Sequence, residues 1–273
     1  MSEFDFSFKA FAQQPFYKEV NRLLVNLSNI QPGQKVIDLA CGAGTVTRLI
    51  MEKLQGARES FIIVLDSSSE ALRLTKEELG QFKSNVVEFV QGHAEQVSQL
   101  VRDRVDAIFL CNAIHMIEDK KQLISGVASR LQKGGIFAFN TTFFDGSQLP
   151  ETEQFYRRWM LRSLRILKRK YDLMPDRAEK VEARKQLTVD DYLELLHAHQ
   201  LEIREHQMQK VLVPLEGWLA ISQFADFVNG AMPKVPVAQA SDALQQGLRE
   251  VFEELQLTAV PRNWWLVIAA RSA

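Results

Sequence analysis

The sequence predicts an α/β fold, with a mostly parallel sheet covered by helices on both faces and helical insertions added to it. Strand-type apolar runs alternate with amphipathic stretches at regular spacing through residues 35–144. The run Phe61–Leu65 is apolar throughout, as a strand buried on both faces should be. Every polar or glycine-rich stretch of note falls at the carboxyl end of such a run, where open α/β sheets bind ligands.

The elements follow in order. Residues 1–14 are aromatic-rich, with Phe4, Phe6, Phe8 and Phe11, and are expected to form a hydrophobic strap or a substrate lid. Pro15 suits the first turn of a helix running to about Asn29, which carries Val20, Leu23, Leu24 and Leu27 on one face. Pro32-Gly33 breaks it. The first strand, Lys35–Leu39, leads through Gly42-Ala43-Gly44 into a helix over Thr47–Leu54. The second strand ends in Asp66, and Ser67-Ser68-Ser69-Glu70 reads as a helix start. The third, Val86–Val90, closes on Gln91-Gly92-His93-Ala94-Glu95. The fourth, Val105–Cys111, runs into Asn112-Ala113-Ile114-His115, then a helix over Asp119–Leu131 stopped by Lys133-Gly134-Gly135. Ile136–Phe144 is the fifth. Alternation of this kind implies right-handed crossovers.

From Asp145 the composition shifts. Arg157, Arg158, Arg162, Arg165, Lys168, Arg169 and Lys170 crowd one predicted helix with no acid among them. They are expected to form either a solvated face or a docking surface for an acidic carrier. Thr188-Val189-Asp190-Asp191 starts another helix, and Glu202–Val213 is a sixth strand. Residues 214–260 are expected to hold two amphipathic helices, and Trp264–Ala270 is the seventh strand. The resulting organisation is an N-terminal helical lid (1–30), an α/β core (31–144), a helical cap insertion (145–187), core continued (188–213), a second cap insertion (214–260) and a final core strand (261–273).

The bulk numbers exclude more than they assign. In 273 residues the formal net charge is −1, which gives no reason to expect nucleic acid or a membrane as partner. Met1–Ala10 contains Glu3 and Asp5 and lacks the apolar run of a secretory signal. Only Cys41 and Cys111 occur, so neither a disulfide frame nor a zinc site is expected, and a reducing, cytoplasmic setting is.

A strand, a glycine turn and a helix N-terminus make a nucleotide-type site. Two details narrow it. A dinucleotide fingerprint would want a third glycine near Thr47, and none is there. Asp38 stands at the mouth of the turn, where a carboxylate would repel a pyrophosphate but suit an ammonium or sulfonium. Asp66 is placed for both hydroxyls of a ribose.

The stretch Val36–Gly44 resembles motif I of the class I S-adenosylmethionine-dependent methyltransferases. The resemblance covers about residues 30–144, 186–213 and 262–271, and it implies a Rossmann-like seven-stranded sheet whose last strand is antiparallel. It also implies S-adenosyl-L-methionine as cofactor, along a wall formed by Asp38, Ala40, Gly42, Gly44, Asp66, Ser67, His93, Ala94 and Asn112. His93 departs from the family, which often has an acid there for the adenine amino group. His115 follows the fourth strand on the loop that faces the cofactor methyl in this family. It is the candidate general base, since an ordinary imidazole pKa of about 6.5 suits such work near neutrality. Glu118 and Asp145 are alternates. His197, His199 and His206 are expected at the surface, and no metal site is expected from His93 and His115. The implied activity is O- or C-methylation of a small, hydrophobic acceptor, free or carrier-tethered. A repurposed cofactor-binding protein of the same fold and a nicotinamide oxidoreductase are the alternatives. Asn112-Ala113-Ile114-His115 stands where an adenine methyltransferase would show N-P-P-Y.

Overall fold

The computed structural model describes residues 6–56, 59–80, 86–176 and 185–272. Phe4 of the aromatic strap and residues 177–184 of the first insertion lie outside them. Two short helices, α1 (Lys9–Ala12) and α2 (Pro15–Leu27), precede the alternating core of β1 (Lys35–Leu39), α3 (Thr45–Lys53), β2 (Phe61–Asp66), α4 (Ser69–Glu78), β3 (Val86–Gln91), α5 (Val97–Leu100), β4 (Val105–Cys111), α6 (Lys120–Arg130) and β5 (Leu131–Thr141). There follow α7 (Glu153–Tyr171), α8 (Val189–His197), β6 (Leu201–Pro214), α9 (Leu215–Ile221), α10 (Ala225–Ala231), α11 (Val237–Glu254) and β7 (Ala259–Arg271). The expected elements are present with shifted ends. The second insertion holds three helices where two were expected, because α9 follows directly on β6.

The seven strands lie in the order β3-β2-β1-β4-β5-β7-β6. The first five are parallel, and β7 runs antiparallel between β5 and β6. Alternation along each strand divides the core in two. Val36, Ile62, Val64 and Phe109 face α2, α3 and the cap helices, while Ile37, Ile63, Leu65 and Ile108 face α6 and α8. The cap therefore shares its face with the N-terminal helices. Among the described residues no helix is long and apolar enough to cross a membrane.

The α2 helix is fixed to the sheet by a buried amide chain. Trp264 Nε1 donates to Asn140 Oδ1 (3.3 Å), Asn140 Nδ2 to Asn21 Oδ1 (2.7 Å), and Asn21 Nδ2 to the carbonyl of Tyr17 (2.7 Å). All four residues are buried, so each amide finds inside the protein the partner that water would otherwise supply.

Helices α7 and α11 pack closely enough that a Cβ on Gly247 would meet Ser163 Oγ at 2.4 Å and its backbone nitrogen at 3.0 Å. Here the basic helix finds its counter-charges. Arg158 pairs with Glu254, Arg162 with Glu250 (2.9 Å) and Glu254, and Lys170 with Asp242 (2.9 Å). These pairs are half-exposed, so solvent screens them and they add little to stability. Much of the helix's positive stripe is thus answered within the chain.

Gly247→Ala should destabilise the protein by about 1–3 kcal/mol, because the new methyl group meets backbone as well as a hydroxyl. Urea denaturation would measure it, and an unchanged midpoint would mean that α7 and α11 can move apart freely.

Candidate functional site

One cavity of about 1400 Å³ opens at the carboxyl ends of β1, β2 and β4 and continues under the cap. That is more than the roughly 300–1,000 Å³ of a typical single-ligand pocket, and it leaves room for two molecules side by side.

The end beneath β1 and β2 is built for a polar ligand. β1, an interior strand, carries Asp38 to the carboxyl end of the sheet, where it is 1 % exposed and accepts a hydrogen bond from Thr47 Oγ1 at 2.6 Å. Among the described residues no cation lies within ion-pair distance of it. Burial, with a smaller contribution from the Asp66 charge, pushes its carboxyl up to about 7, while the Thr47 hydroxyl holds it down somewhat. A buried carboxylate in this condition is strengthened by any cation that reaches it. The turn after it uses backbone that glycine tolerates, with φ of +56° at Gly42 and +81° at Gly44. Gly44 is also needed for packing, since a Cβ there would lie 2.9 Å from the Thr75 Cα. At Gly42 the nearest neighbour would be a ring carbon of Phe8 at 3.7 Å, so that side of the turn stays open to a ligand.

Asp66, at the end of β2, accepts from the Gly42 amide (3.0 Å) and the Ser68 amide (2.9 Å). The cap of α4 is the Ser68 hydroxyl, which accepts from Ala71 N (3.2 Å), so Asp66 is free of that duty and lines the cavity. Ala40, Ser67, His93, Ala94 and Asn112 line it as well. His93 is exposed, and its amide donates to Gln96 Oε1 (3.3 Å). Asn112 is buried with φ of +51°, and its Oδ1 accepts from the Thr142 amide (3.3 Å). The structure therefore brings the sequence-predicted residues around one space with the exception of Gly44, which packs against Thr75 and does not line it. The donor set fits S-adenosyl-L-methionine: an open glycine turn, a ribose-height acid and a buried carboxylate lacking a cation.

The other end is apolar with a few polar groups. His115 sits in a short turn after β4, 5 % exposed, its ring stacked on Phe143 at 4.1 Å and its Nδ1 without a partner. Burial, then the nearby charges of Arg262 and Lys120, lower its pKa to about 3. The premise of an ordinary pKa near 6.5 is thereby corrected, and the imidazole is neutral at physiological pH. Glu118 and Asp145 are exposed, and neither lines this cavity. His197 and His206 are exposed and His199 partly so. The Cys41 and Cys111 thiols are buried and pushed up chiefly by burial, so neither is a thiolate nucleophile. Among the described residues no group of three or more His, Cys, Asp or Glu is arranged to hold a metal ion.

Three wall residues escaped sequence reasoning. Tyr17 reaches the cavity from α2, Trp218 from α9, and Arg262 from β7. Arg262 is 5 % exposed and donates through Nε to the Thr142 carbonyl (3.0 Å) and hydroxyl (2.8 Å), and through Nη2 to the same carbonyl (2.6 Å). Its one sequence signal is a charge between Pro261 and the apolar Trp264–Ala270 run.

A family model described as a methyltransferase domain matches residues 30–210. The chain belongs to that methyltransferase domain family. Among curated relatives, the ubiquinone/menaquinone biosynthesis C-methyltransferase UbiE of Legionella pneumophila is 28% identical over 131 residues, 46% of this chain and 50% of that protein. The uncharacterized methyltransferase sll0829 of Synechocystis is 37% identical over 119 residues, 42% of this chain and 50% of that one. The chain thus spans about half the length of these relatives. Among solved structures, the N-methyltransferase NodS of Bradyrhizobium japonicum, in complex with S-adenosylhomocysteine, superposes with a TM-score of 0.51 over 96% of this chain and 90% of its own, at 12% identity. That likeness concerns the methyltransferase fold alone. Tyr17, Trp218 and Arg262 all lie outside the family match.

The Asp38 carboxyl gives a stability signature. Because its folded pKa is raised, the folded protein keeps a proton that the unfolded chain loses near pH 4, so its contribution to stability falls as pH rises from about 4 to about 7. Asp38→Asn cannot ionise. Without ligand, its melting temperature should rise relative to the native protein across that window and level off above it. A difference independent of pH would show that Asp38 titrates normally.

Proposed function

We propose that the protein transfers a methyl group from S-adenosyl-L-methionine to a small hydrophobic acceptor. The observation that carries this is Asp38, a buried carboxylate without a cation beside an open glycine turn, in a cavity that continues into an aromatic chamber. Family membership and the seven-stranded sheet support it. When bound, the cofactor supplies a methyl carbon whose bond to sulfur breaks, the electron pair returning to sulfur, as the acceptor's nucleophile attacks.

The residues of the chain divide the remaining work. Asp38 holds the positive end of the cofactor and is driven toward its ionised form by doing so. Asp66 accepts from the ribose hydroxyls, and the Gly42 turn lets backbone approach. The chamber under α7, α9 and α10 excludes water and fixes the line of attack, which is most of what a displacement at an activated methyl requires. His115, as a neutral imidazole, orients the acceptor by a hydrogen bond at Nδ1 and is a weak proton acceptor. A free acceptor is favoured over a carrier-delivered one, because Arg158, Arg162 and Lys170 are engaged by α11.

Calorimetry should detect S-adenosylmethionine and S-adenosylhomocysteine but not NAD. Asp66→Ala should weaken both by about 1–3 kcal/mol, the usual range for hydrogen bonds to a charged group. NAD binding without a response to the sulfonium compound would end this reading.

Turnover should carry the second signature. His115→Ala should keep cofactor affinity and lower kcat by about tenfold, the value of one well-placed hydrogen bond. With His115 lowered to about 3, the native pH–rate profile should show no histidine limb between about pH 5 and 8. A limb near 6.5 that disappears in His115→Ala would restore the general base.

A further inference from the structure

The cofactor reading leaves a buried guanidinium of the cavity wall, that of Arg262, unused. Arg262 is buried, and among the described residues no carboxylate lies within ion-pair distance of it. A guanidinium has five N–H donors. Thr142 takes Nε and one hydrogen of Nη2, and Tyr156 Oη accepts one from Nη1 at 3.3 Å. One N–H on each Nη remains.

Among the described residues, two further polar groups nearby lack partners. The Trp218 indole Nε1 is buried without an acceptor, and the Arg262 guanidinium carbon stands 6.0 Å from that ring. His115 Nδ1 is the other, stacked on the same Phe143 ring that Arg262 covers at 4.7 Å. Buried donors in folded proteins are nearly always satisfied, and a buried charge without a counter-ion is costlier still. These groups meet in a chamber walled by Phe143, Tyr156, Trp159, Met160 and Phe227. Such a wall favours a flat, apolar body.

We propose that Arg262 and Trp218 form an oxyanion site for the methyl acceptor, which is a planar hydrophobic small molecule bearing an acidic oxygen: a phenolate, enolate or carboxylate. Calling that molecule the acceptor rests on the methyltransferase reading; the anion site does not. The oxygen accepts from the spare Nη hydrogens and from the indole N–H while the ring system fills the aromatic chamber. A phenol or enol held this way has given its proton to bulk water before transfer. Its oxygen, or the conjugated carbon, then bonds to the methyl carbon as the carbon–sulfur bond breaks with its electron pair going to sulfur; after attack by a phenolate ring carbon the ring C–H proton leaves to solvent, and His115 takes no proton before transfer. The bound anion also offsets one of the two cations that add to burial in keeping His115 neutral.

Naphthoate and its uncharged isostere naphthamide serve as probes, titrated calorimetrically into the full chain with and without S-adenosylhomocysteine. The native protein should bind naphthoate at least tenfold more tightly than naphthamide. Arg262→Met should abolish that preference while still binding S-adenosylhomocysteine, which also reports that the variant is folded; Arg262→Gln replaces it if the methionine variant does not fold. Equal affinity of the native protein for the two probes, or no binding of either, overturns the proposal. A preference that survives in the folded variant overturns it too. If the native protein prefers naphthoate but fails to bind S-adenosylhomocysteine, the anion site stands and the methyltransferase reading falls.

Discussion

Asp38 is held out of water at the end of β1 by the sheet on either side of it, and among the described residues its side-chain partner is the hydroxyl of Thr47 in the first turn of α3. That hydrogen bond joins the strand to the helix across the glycine turn and fixes the height of the turn over the sheet. It does not remove the penalty of burying a carboxylate, which appears as a carboxyl raised to about 7. A protein gains nothing in stability from such a group. Its value lies in what it binds, and the cavity is shaped around that position.

The topology separates two kinds of chemistry within one space. At the reversal of strand order between β1 and β4, β1 and β2 deliver acids and open backbone, the usual place for a ligand in a doubly wound sheet. β4 and β5 lead to His115 and Phe143, and β7, inserted antiparallel, brings Arg262 against Thr142. The negative end suits a cationic cofactor. The far end has a buried cation and orphaned donors in aromatic surroundings. A ligand pair of opposite charge, each meeting its complement, is the arrangement this gradient favours.

Much of this was legible in the sequence because it is local. Asp38, Gly42, Gly44 and Asp66 lie within a strand–turn–helix–strand stretch whose spacing sets their geometry, and parallel strands order themselves by crossover handedness. The apolar end of the cavity is non-local. Arg262 meets Thr142 from 120 positions away, and neither segment announces the other. The lowered pKa of His115 depends on burial and on Arg262, so a reading of the loop alone returns the ordinary value. The counter-charges of the basic helix are non-local in the same way: Glu250 and Glu254, which answer Arg158 and Arg162, lie some ninety residues further along. Helix α9 is only seven residues long and starts where β6 stops, leaving its periodicity too short to separate.

Asp38, buried without a cation among the described residues, should respond most directly to a bound positive charge. Carbon-13 NMR of the Asp38 side-chain carboxyl across a pH titration, without ligand and then with S-adenosylhomocysteine, measures it at the atom concerned. The carboxyl should titrate near 7 in the free protein and well below that once the ligand's ammonium is bound. A midpoint near the ordinary aspartate value of about 4 in the free protein, or one that does not move on binding, would contradict the account.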